Sequence, residues 1–541
     1  MLGRREGQSP LFSAQSVPHR VPPDSFYGRM ASVSQALFRD EDLEEMYDVS
    51  NGRPSIPPSL LSGVLLLQFH DDVSDTEAVQ RLQFDLRWQV ALDLPTNYAG
   101  FDPSSLSYFR QRLIEHEKER YAFDRFVAVG RAAGFIADRV TLLTDTTPVK
   151  GAGAVQDTYT LLRKGIRKLL KQIGYTGSRK RQGLSSATQR LVTTYLERDR
   201  KANIDWSNPT QRATQLQILV QDAEAVLELA QAQSDNADVR ATGWLLTKIM
   251  GDDLTQDDQG QAQIAQGTAP DRIISITDPE MRHGRKSSAV RFNGFKAAVS
   301  TELSSELILD IADMSASRGD GQELGSIVTR VEENAGVTVA EVIGDGAYGS
   351  GENRAACAAH LPDPVELVSP LAVPNDPAVD KSAFQIDLQA QTATCPQGYT
   401  VNAHAGPSSN GLPTWRFTFP RVLCATCPLF ERCVKSKTAG RTVATHPHEV
   451  LLQAARAQQQ TDEFKTRYRQ RCPIERKQAE LVQHGLRNTR FLGDPKRQLQ
   501  RLWIGAAVNL KRLFRLAETR RVDLRASFQC LDAPQMHLQG I

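Results

Sequence analysis

Two short apolar segments, each ending in a single aspartate, constrain the fold of this chain more than any other feature. The first runs from Val140 to Asp145 and the second from Val337 to Asp345. Runs of this length and composition are typical of buried β-strands. We therefore predict two core strands, the first over residues 139–149, with a carboxylate at the end of each apolar run.

A third acidic residue lies in a basic segment further along the chain. Tyr468, Arg471 and Glu475 are spaced by three and four residues, so one continuous helix would place them on one face. Pro473 either begins a new helix after a break or kinks a helix that starts near Thr461. Glu475 offers a hard oxygen ligand, Arg471 can hold a phosphate through its planar fork, and Tyr468 can stack on a base.

These three acidic residues suit a site that holds divalent metal against a phosphate. Cleavage of a phosphodiester builds charge on the attacking and leaving oxygens, and two Mg²⁺ ions roughly 3.5–4 Å apart can stabilise both. We predict that Asp145 bridges the two ions, Asp345 completes the ligands of one, and Glu475 those of the other. A strand-end aspartate can equally be a turn residue or a helix cap. Asp278 and Glu280 are rival carboxylates, but they lie in a proline-containing loop.

Further strings accompany these residues in a fixed order, from about residue 30 to 515. They are Gly52-Arg-Pro-Ser-Ile-Pro-Pro58, Asp102-Pro-Ser-Ser-Leu-Ser-Tyr-Phe-Arg110, Thr144-Asp-Thr-Thr-Pro-Val149, Thr277-Asp-Pro-Glu-Met-Arg-His283, Asn293-Gly-Phe-Lys296 and Gly344-Asp-Gly-Ala-Tyr-Gly-Ser350. Together with Tyr-x2-Arg-x3-Glu, they resemble the DDE transposases of bacterial insertion sequences. Each string alone is weak, but their number and order are specific.

The resemblance implies a ribonuclease H-like core and the same three catalytic acids. It also implies that Tyr468 and Arg471 contact DNA near the cleaved phosphate, whereas the structural alternative pairs Arg471 with Glu475 along a helix. We expect Lys296 to reach DNA as well, unless it is only a charge on an edge strand. From pattern alone, the chain is simply mixed α/β.

The sequence departs from the family pattern at one position. The most similar group continues as Tyr-x2-Arg-x3-Glu-x6-Lys, but residue 482 of this chain is Val. Lys477 or His484 would have to replace that lysine, and we include Lys477 among the expected DNA contacts.

The charge distribution favours a nucleic-acid partner, although the net charge is only +2. Between Lys465 and Arg521 there are 16 Lys and Arg and 4 Asp and Glu, a local excess of 16 − 4 = +12. Between Leu161 and Arg181 there are 8 basic residues and no acid. Phosphate binding depends on local positive charge, so these clusters matter more than the total. The alternative for any one cluster is a solvated helix face.

We expect a cytoplasmic, nucleoid-associated protein, because no apolar run approaches the ~18 residues of a membrane span and no signal-type segment opens the sequence. The fold class we expect is α/β: a ribonuclease H-like mixed sheet core with a helical N-terminal domain, a helical insertion after the first strand, and a Cys-containing insertion before the glutamate helix. The predicted divisions are a disordered arm (1–27), the helical domain for DNA binding or dimerisation (28–135), the core (136–361 and 446–521) with its helical insertion (155–265), the Cys-containing insertion (362–445) and a C-terminal tail (522–541).

Four of the seven cysteines are clustered as Cys395, Cys424, Cys427 and Cys433. The Cys-x2-Cys pair has the spacing of a zinc knuckle, and a closed structural Zn²⁺ site takes four thiolates. Disulfides are less expected in a reducing cytoplasm. We therefore predict a structural Zn²⁺, the alternative being unliganded thiols in a degenerate knuckle.

The interpretation that follows is a transposase. It would cleave the terminal inverted repeats of its element with Mg²⁺ and transfer the freed strand to target DNA, working as at least a homodimer that pairs two ends. One alternative is a DNA-binding protein derived from such an element that no longer cuts. Another is a metal-dependent nuclease unrelated to mobility.

Overall fold

The computed structural model describes residues 20–48, 54–175, 184–198, 202–233, 235–287, 289–372, 374–408 and 411–532. Most of the predicted N-terminal arm and the last residues of the predicted tail lie outside these ranges. The strands are β1 (Arg139–Lys150), β2 (Leu254–Gln256), β3 (Ala262–Ile264), β4 (Arg282–Arg285), β5 (Arg291–Glu302), β6 (Ile308–Ser315), β7 (Thr338–Ile343), β8 (Glu366–Val368), β9 (Gln385–Asp387), β10 (Thr392–Thr394), β11 (Thr400–Ala405), β12 (Trp415–Thr418) and β13 (Thr442–Ala444).

Helices surround these strands and fill most of the remaining chain. They are α1 (Phe26–Leu37), α2 (Pro58–Asp71), α3 (Asp75–Phe84), α4 (Leu86–Ala91), α5 (Ser104–Glu115), α6 (Tyr121–Ala132), α7 (Thr158–Ile173), α8 (Ser186–Val192), α9 (Pro209–Gln231), α10 (Ala237–Asp253), α11 (Leu324–Ala335), α12 (Gly351–Ala358), α13 (Arg421–Ala425), α14 (Phe430–Cys433), α15 (Glu449–Gln458), α16 (Asp462–Arg469), α17 (Cys472–Gln483), α18 (Asp494–Arg520) and α19 (Leu524–Asp532). None of the helices in the described ranges is both long and apolar enough to cross a membrane.

The central sheet is mixed, with β1 in its middle. On one side β1 pairs antiparallel with β5, and β5 pairs antiparallel with β6 and, at its start, with β4. On the other side β1 pairs parallel with β7, and β7 pairs parallel with β8. The order β6–β5–β1–β7–β8 is consistent with the predicted ribonuclease H-like core. The fold is therefore mixed α/β, as the sequence predicts.

The N-terminal helices share a continuous hydrophobic core with the sheet. Every residue of α2 from Pro58 to Phe69 is buried, because the helix packs against α18, whose apolar residues are buried over most of its length. At the other end of the chain, α19 packs on α1 and α6. The helical region 28–135 is thus joined to the sheet through shared packing, and α2 has no face left for a ligand.

Some element boundaries differ from the sequence expectations. The stretch 75–92 forms two helices, because Asp85 ends α3 in an extended conformation and its side chain accepts a hydrogen bond from Arg87 N at the start of α4. The helices α16 and α17 are likewise separate, and Pro473 lies in the first turn of α17. Pro473 therefore begins a new helix, which was one of the two expected outcomes.

Helices α7 to α10 follow β1 and enclose a second hydrophobic cluster of their own. Asp157 begins α7 by accepting a hydrogen bond from Thr160 N at 2.9 Å, and Gly174 ends it in a left-handed conformation with φ 97°. The side chain of Asp157 therefore caps the helix at its start, and Gly174 terminates it. Strands β9 to β13 form a separate antiparallel sheet around a small apolar cluster.

Candidate active-site cleft

The pairing of β1 with β7 brings Asp145 and Asp345 to the same edge of the central sheet. The parallel register ends at Leu143 opposite Ile343, and each aspartate lies two residues beyond. Beyond that point β7 stops, and the Asp345 carboxylate accepts a hydrogen bond from Ala347 N at 2.9 Å in a tight turn. β1 continues along β5, so Asp145 lies within the strand and not at its end.

A cleft of about 620 Å³ opens at this edge, and all three predicted catalytic acids line it. Glu475 enters from the first turn of α17, with 68% of its side chain exposed. Asp320, which the sequence analysis missed, is a fourth acid in the lining. The cleft therefore gathers carboxylates from three separate segments of the sheet domain and from one helix.

Arg471 joins two of the predicted catalytic acids. Its Nη2 lies 2.5 Å from Oδ2 of Asp145, and its Nη1 lies 3.1 Å from Oε1 of Glu475. The pairing of Arg471 with Glu475 was the structural alternative at this position, and it is present. The contact with Asp145 was not foreseen, since it joins residues far apart in sequence.

The Asp145 carboxyl has an altered proton affinity. Its pKa is raised to about 6, chiefly by burial and to a smaller extent by the negative charges of Asp345 and Asp320. The Arg471 guanidinium and the hydrogen bond from Thr146 N oppose this shift. Burial and the neighbouring acids disfavour the ionised form of this carboxyl, and a nearby cation would stabilise that form.

The donor set of the cleft fits hard divalent cations, which take carboxylate oxygens as ligands. As the side chains stand, however, no group of three or more His, Cys, Asp or Glu side chains in the described ranges is arranged to hold a metal ion. Arg471 supplies the positive charge between Asp145 and Glu475 instead.

Lys296 also lines the cleft, but its ammonium is already paired. Its Nζ lies 2.7 Å from Oδ1 of Asp320 and donates to the carbonyl oxygen of Arg318 at 2.6 Å. Only 8% of the residue is exposed. Lys296 thus lies in the cleft and is held there by Asp320, and its contact with DNA stays a prediction.

Tyr468 is close to the site without lining it. Its ring stacks on Phe464 one turn earlier in α16, with ring centroids 5.9 Å apart, and its carbonyl oxygen accepts from Arg471 N. Burial raises its pKa, and the acids of the cleft add to this effect. Tyr468 belongs to α16 and Glu475 to α17, so the two residues do not lie on one continuous helix.

The candidates for the missing lysine lie away from the cleft. Lys477 is 4% exposed, and its Nζ lies 3.1 Å from Oε2 of Glu480. The His484 ring is buried against the carbonyl oxygen of His70. Val482 does line the cleft, and so does the exposed Arg487, which we had not singled out. Because position 482 lacks the lysine of the family pattern, the sequence could have directed attention to Arg487, the next Lys or Arg along the chain.

Arg487 is held firmly by the end of β1. Its carbonyl oxygen accepts from Lys150 N at 2.8 Å, and Thr489 N donates to the carbonyl oxygen of Lys150 at 2.9 Å.

The rival carboxylates are occupied elsewhere, since Asp278 and Glu280 both bind the buried guanidinium of Arg497. They hold α18 against the sheet and do not line the cleft.

The four clustered cysteines line one small cavity of about 30 Å³ near β10, α13 and α14. Cys395 begins a tight turn closed by Gly398 N, and Cys427 Sγ accepts from Leu429 N at 3.4 Å. Burial raises the pKa of Cys433, and the other three thiols raise it further. The four predicted residues therefore share one cavity, but as they stand in the described part of the chain they are not arranged as a metal site.

The strand order of the central sheet and the acidic cleft at its edge are consistent with the class of enzymes that cut or join phosphodiester bonds. Residues 394–514 match the family model described as Transposase DDE domain, and residues 15–112 match the model described as Transposase domain (DUF772). The two matches indicate an insertion-sequence DDE transposase, which confirms the resemblance seen in the sequence. The first match includes Glu475 and the four clustered cysteines. Comparisons with curated proteins and with solved structures gave no match.

Proposed function

We propose that this chain is a DNA transposase that cleaves phosphodiester bonds at the ends of its element and joins the freed strand to target DNA. The observation that carries the proposal is the shared cleft of Asp145, Asp345 and Glu475. Successive members of this set are 200 and 130 positions apart in sequence, and only the parallel pairing of β1 with β7 and the placement of α17 bring them to one edge of the sheet.

The three carboxylates are the proposed ligands of two Mg²⁺ ions. When bound, such ions stabilise the charge that develops on the attacking and leaving oxygens of a phosphodiester. Asp145 stands between the other two acids in this scheme. Because Asp145 is buried beside other acids, its ionised carboxylate is more stable with a bound cation than without one.

Arg471 has a different proposed role before and after DNA arrives. In the free protein its guanidinium neutralises Asp145 and Glu475 and holds them in place. Because the planar fork also matches a phosphate, we propose that it transfers to the DNA backbone when cations take over the carboxylates. Lys296, held by Asp320, supplies a second fixed positive charge in the cleft.

The remaining parts of the proposal concern architecture and partners. We propose that segments 155–265 and 362–445 are insertions in the ribonuclease H-like core, since each has a hydrophobic cluster of its own. The partners are the terminal inverted repeats and target DNA. Pairing two ends in one complex requires at least a homodimer.

We propose that Cys395, Cys424, Cys427 and Cys433 hold a structural Zn²⁺. They share one cavity, and among the described residues the cluster beside them contains only five buried apolar side chains, which is too few to order this segment alone. Metal analysis of the purified protein is expected to give about one zinc per chain. The variant Cys427→Ser should lower that ratio severalfold, whereas Cys530→Ser, an exposed cysteine elsewhere, should not. A full-length protein with four reactive thiols and no zinc would contradict the site.

Nicking of labelled DNA tests the catalytic proposal. Asp145→Asn, Asp345→Asn and Glu475→Gln are each expected to reduce Mg²⁺-dependent nicking by at least about a thousandfold, because each removes charge that holds the cations. The substrate is a duplex from the DNA that borders the coding region. Asp462→Asn is the matched control, since Asp462 is 97% exposed at the start of α16 and outside the cleft.

The same assay separates the proposal from its alternative, a DNA-binding protein that no longer cuts. Val482 in the cleft, where the family pattern has lysine, favours that alternative. Specific binding of the end duplex without nicking by the unmodified protein would establish it. Nicking that survives one of the three substitutions would remove that residue from the catalytic set.

A further inference from the structure

A second, strongly basic groove adjoins the catalytic cleft. Its volume is about 730 Å³, and it runs along the hairpin of β4 and β5 and the segment after β6. The charged residues of its lining are all basic: Arg272, Arg282, Arg285, Arg291, Lys296 and Arg318, with His283 beside them. No acidic residue of the described ranges lines it, in contrast to the catalytic cleft with its four acids.

Two arginines of this groove face each other across the hairpin. Arg285 of β4 is directly opposite Arg291 of β5 in the antiparallel register. Like charges in that position repel each other and destabilise a sheet unless an anion lies between or beside them. Both side chains belong to exposed residues, and no ion pair to either is found within the described ranges.

The other arginines of the groove are already paired. Arg272 binds Asp253 and Arg282 binds Asp271, each at 2.6 Å. Their charges are therefore largely compensated, and the uncompensated charge of the groove is concentrated at Arg285 and Arg291. The site for an anion is thus the hairpin itself.

The groove and the cleft are continuous. Arg285, Phe292 and Lys296 line both, so the hairpin forms a ridge between them. The ring of Phe292 lies over Gly284 of the opposite strand, where a Cβ would come within 2.3 Å of the ring. A polyanion that leaves the catalytic cleft on this side reaches Arg285 and then Arg291.

We propose that this hairpin groove binds the backbone phosphates of duplex DNA beyond the cleaved bond, with Arg285 and Arg291 each contacting a phosphate. The inference rests on the proposed function, since it takes the DNA in the cleft as given. It assigns to two residues a role that neither the sequence strings nor the family matches include. The contact is to the backbone and is therefore independent of base sequence.

Salt dependence of DNA binding tests the proposal. The probe is a short labelled duplex, bound without divalent cations over a series of salt concentrations. The slope of log affinity against log salt is negative, and the double variant Arg285→Gln with Arg291→Gln is expected to make it less steep by about 2. Each lost phosphate contact removes about 0.9 from its magnitude. Arg285→Lys with Arg291→Lys should keep the slope, because both charges remain.

The control is Arg139→Gln, which removes an exposed charge at the amino end of β1, away from the cleft. Its slope should equal that of the unmodified protein. The thermal midpoint of the double glutamine variant should be unchanged or higher, because the repulsion across the hairpin is relieved. An unchanged slope in that variant, or an equal fall in the control, would overturn the proposal, as would tighter binding of a duplex RNA probe.

Failure of the groove and failure of the catalytic proposal are distinguishable. The groove is judged from binding alone, whereas the catalytic proposal is judged from Mg²⁺-dependent nicking by the unmodified protein. If the unmodified protein nicks DNA and the double variant keeps the full salt slope, the catalytic proposal stands and the groove proposal is wrong.

Discussion

At the scale of single residues, the main result is that a guanidinium stands among the acids of the cleft. Asp145 is mostly buried, and Arg471 is its cationic neighbour. Despite that neighbour, burial and the nearby acids keep the pKa of Asp145 near 6. In the free protein, Asp145 is therefore a source of instability at neutral pH.

The stability of Asp145→Asn measures this cost. A pKa raised from 3.8 to about 6 corresponds to roughly 3 kcal/mol as an upper limit. The cost is fully present above pH 6, where Asp145 is ionised in both folded and unfolded chains, and disappears as the pH falls below about 4. At pH 7 and without divalent cations, we expect the free energy of unfolding of the variant to exceed that of the parent by about 1–3 kcal/mol. Near pH 4 we expect this difference to disappear.

Urea unfolding at the two pH values provides the measurement. Asp462→Asn, which changes an exposed acid, should show no such difference at either pH. A variant that is less stable than the parent at pH 7 would show that the ion pair with Arg471 outweighs burial, contrary to the raised pKa.

At the scale of elements, the sequence predicted several strands and helices well but misplaced their ends. The apolar runs before Asp145 and Asp345 do form paired strands, because their side chains are buried on the sheet. The spacing of Tyr468, Arg471 and Glu475 suggested one helical face, yet the chain breaks between α16 and α17. Spacing describes a continuous helix, and it contains no information on whether the helix continues through a proline.

The start of α7 gives a similar lesson and a prediction. Asp157 caps α7, because its carboxylate accepts a hydrogen bond from Thr160 N, a contact that spacing alone does not reveal. Asp157→Ala is expected to lower the free energy of unfolding by about 1 kcal/mol, whereas Thr160→Ala should cost less, because its amide keeps the Asp157 acceptor. Hydrogen exchange should show the loss of protection in α7 and its neighbours. Equal losses from both substitutions would mean that capping is not the cause.

At the scale of the whole molecule, the cleft and its surroundings depend on long-range contacts that sequence patterns do not contain. Arg487 reaches the cleft because its backbone pairs with Lys150 at the end of β1. Asp320 reaches it by way of Lys296 on β5. Neither residue lies in a recognisable string, so only the assembled fold identifies them.

The shared core also bears on the predicted domain boundary at residue 135. Because α2 packs on α18, a fragment of residues 136–541 would expose much of the apolar surface of α18. We expect this fragment to lack a cooperative thermal transition and to aggregate, as unfolded chains with large apolar patches do. Supplying residues 20–135 as a separate chain should restore solubility. A fragment that unfolds cooperatively alone would establish an independent domain.

The contact of α1 with α19, and of α2 with α18, has a consequence for synthesis. Arg125 on α6 binds Asp532 on α19 at 3.0 Å, so early and late helices close on one another. While the ribosome is still translating, the first helices can pack on one another, but the side of α2 that faces α18 stays uncovered until the codons for α18 have been read. We expect a message broken anywhere before that point to yield chains that expose this apolar surface and are degraded.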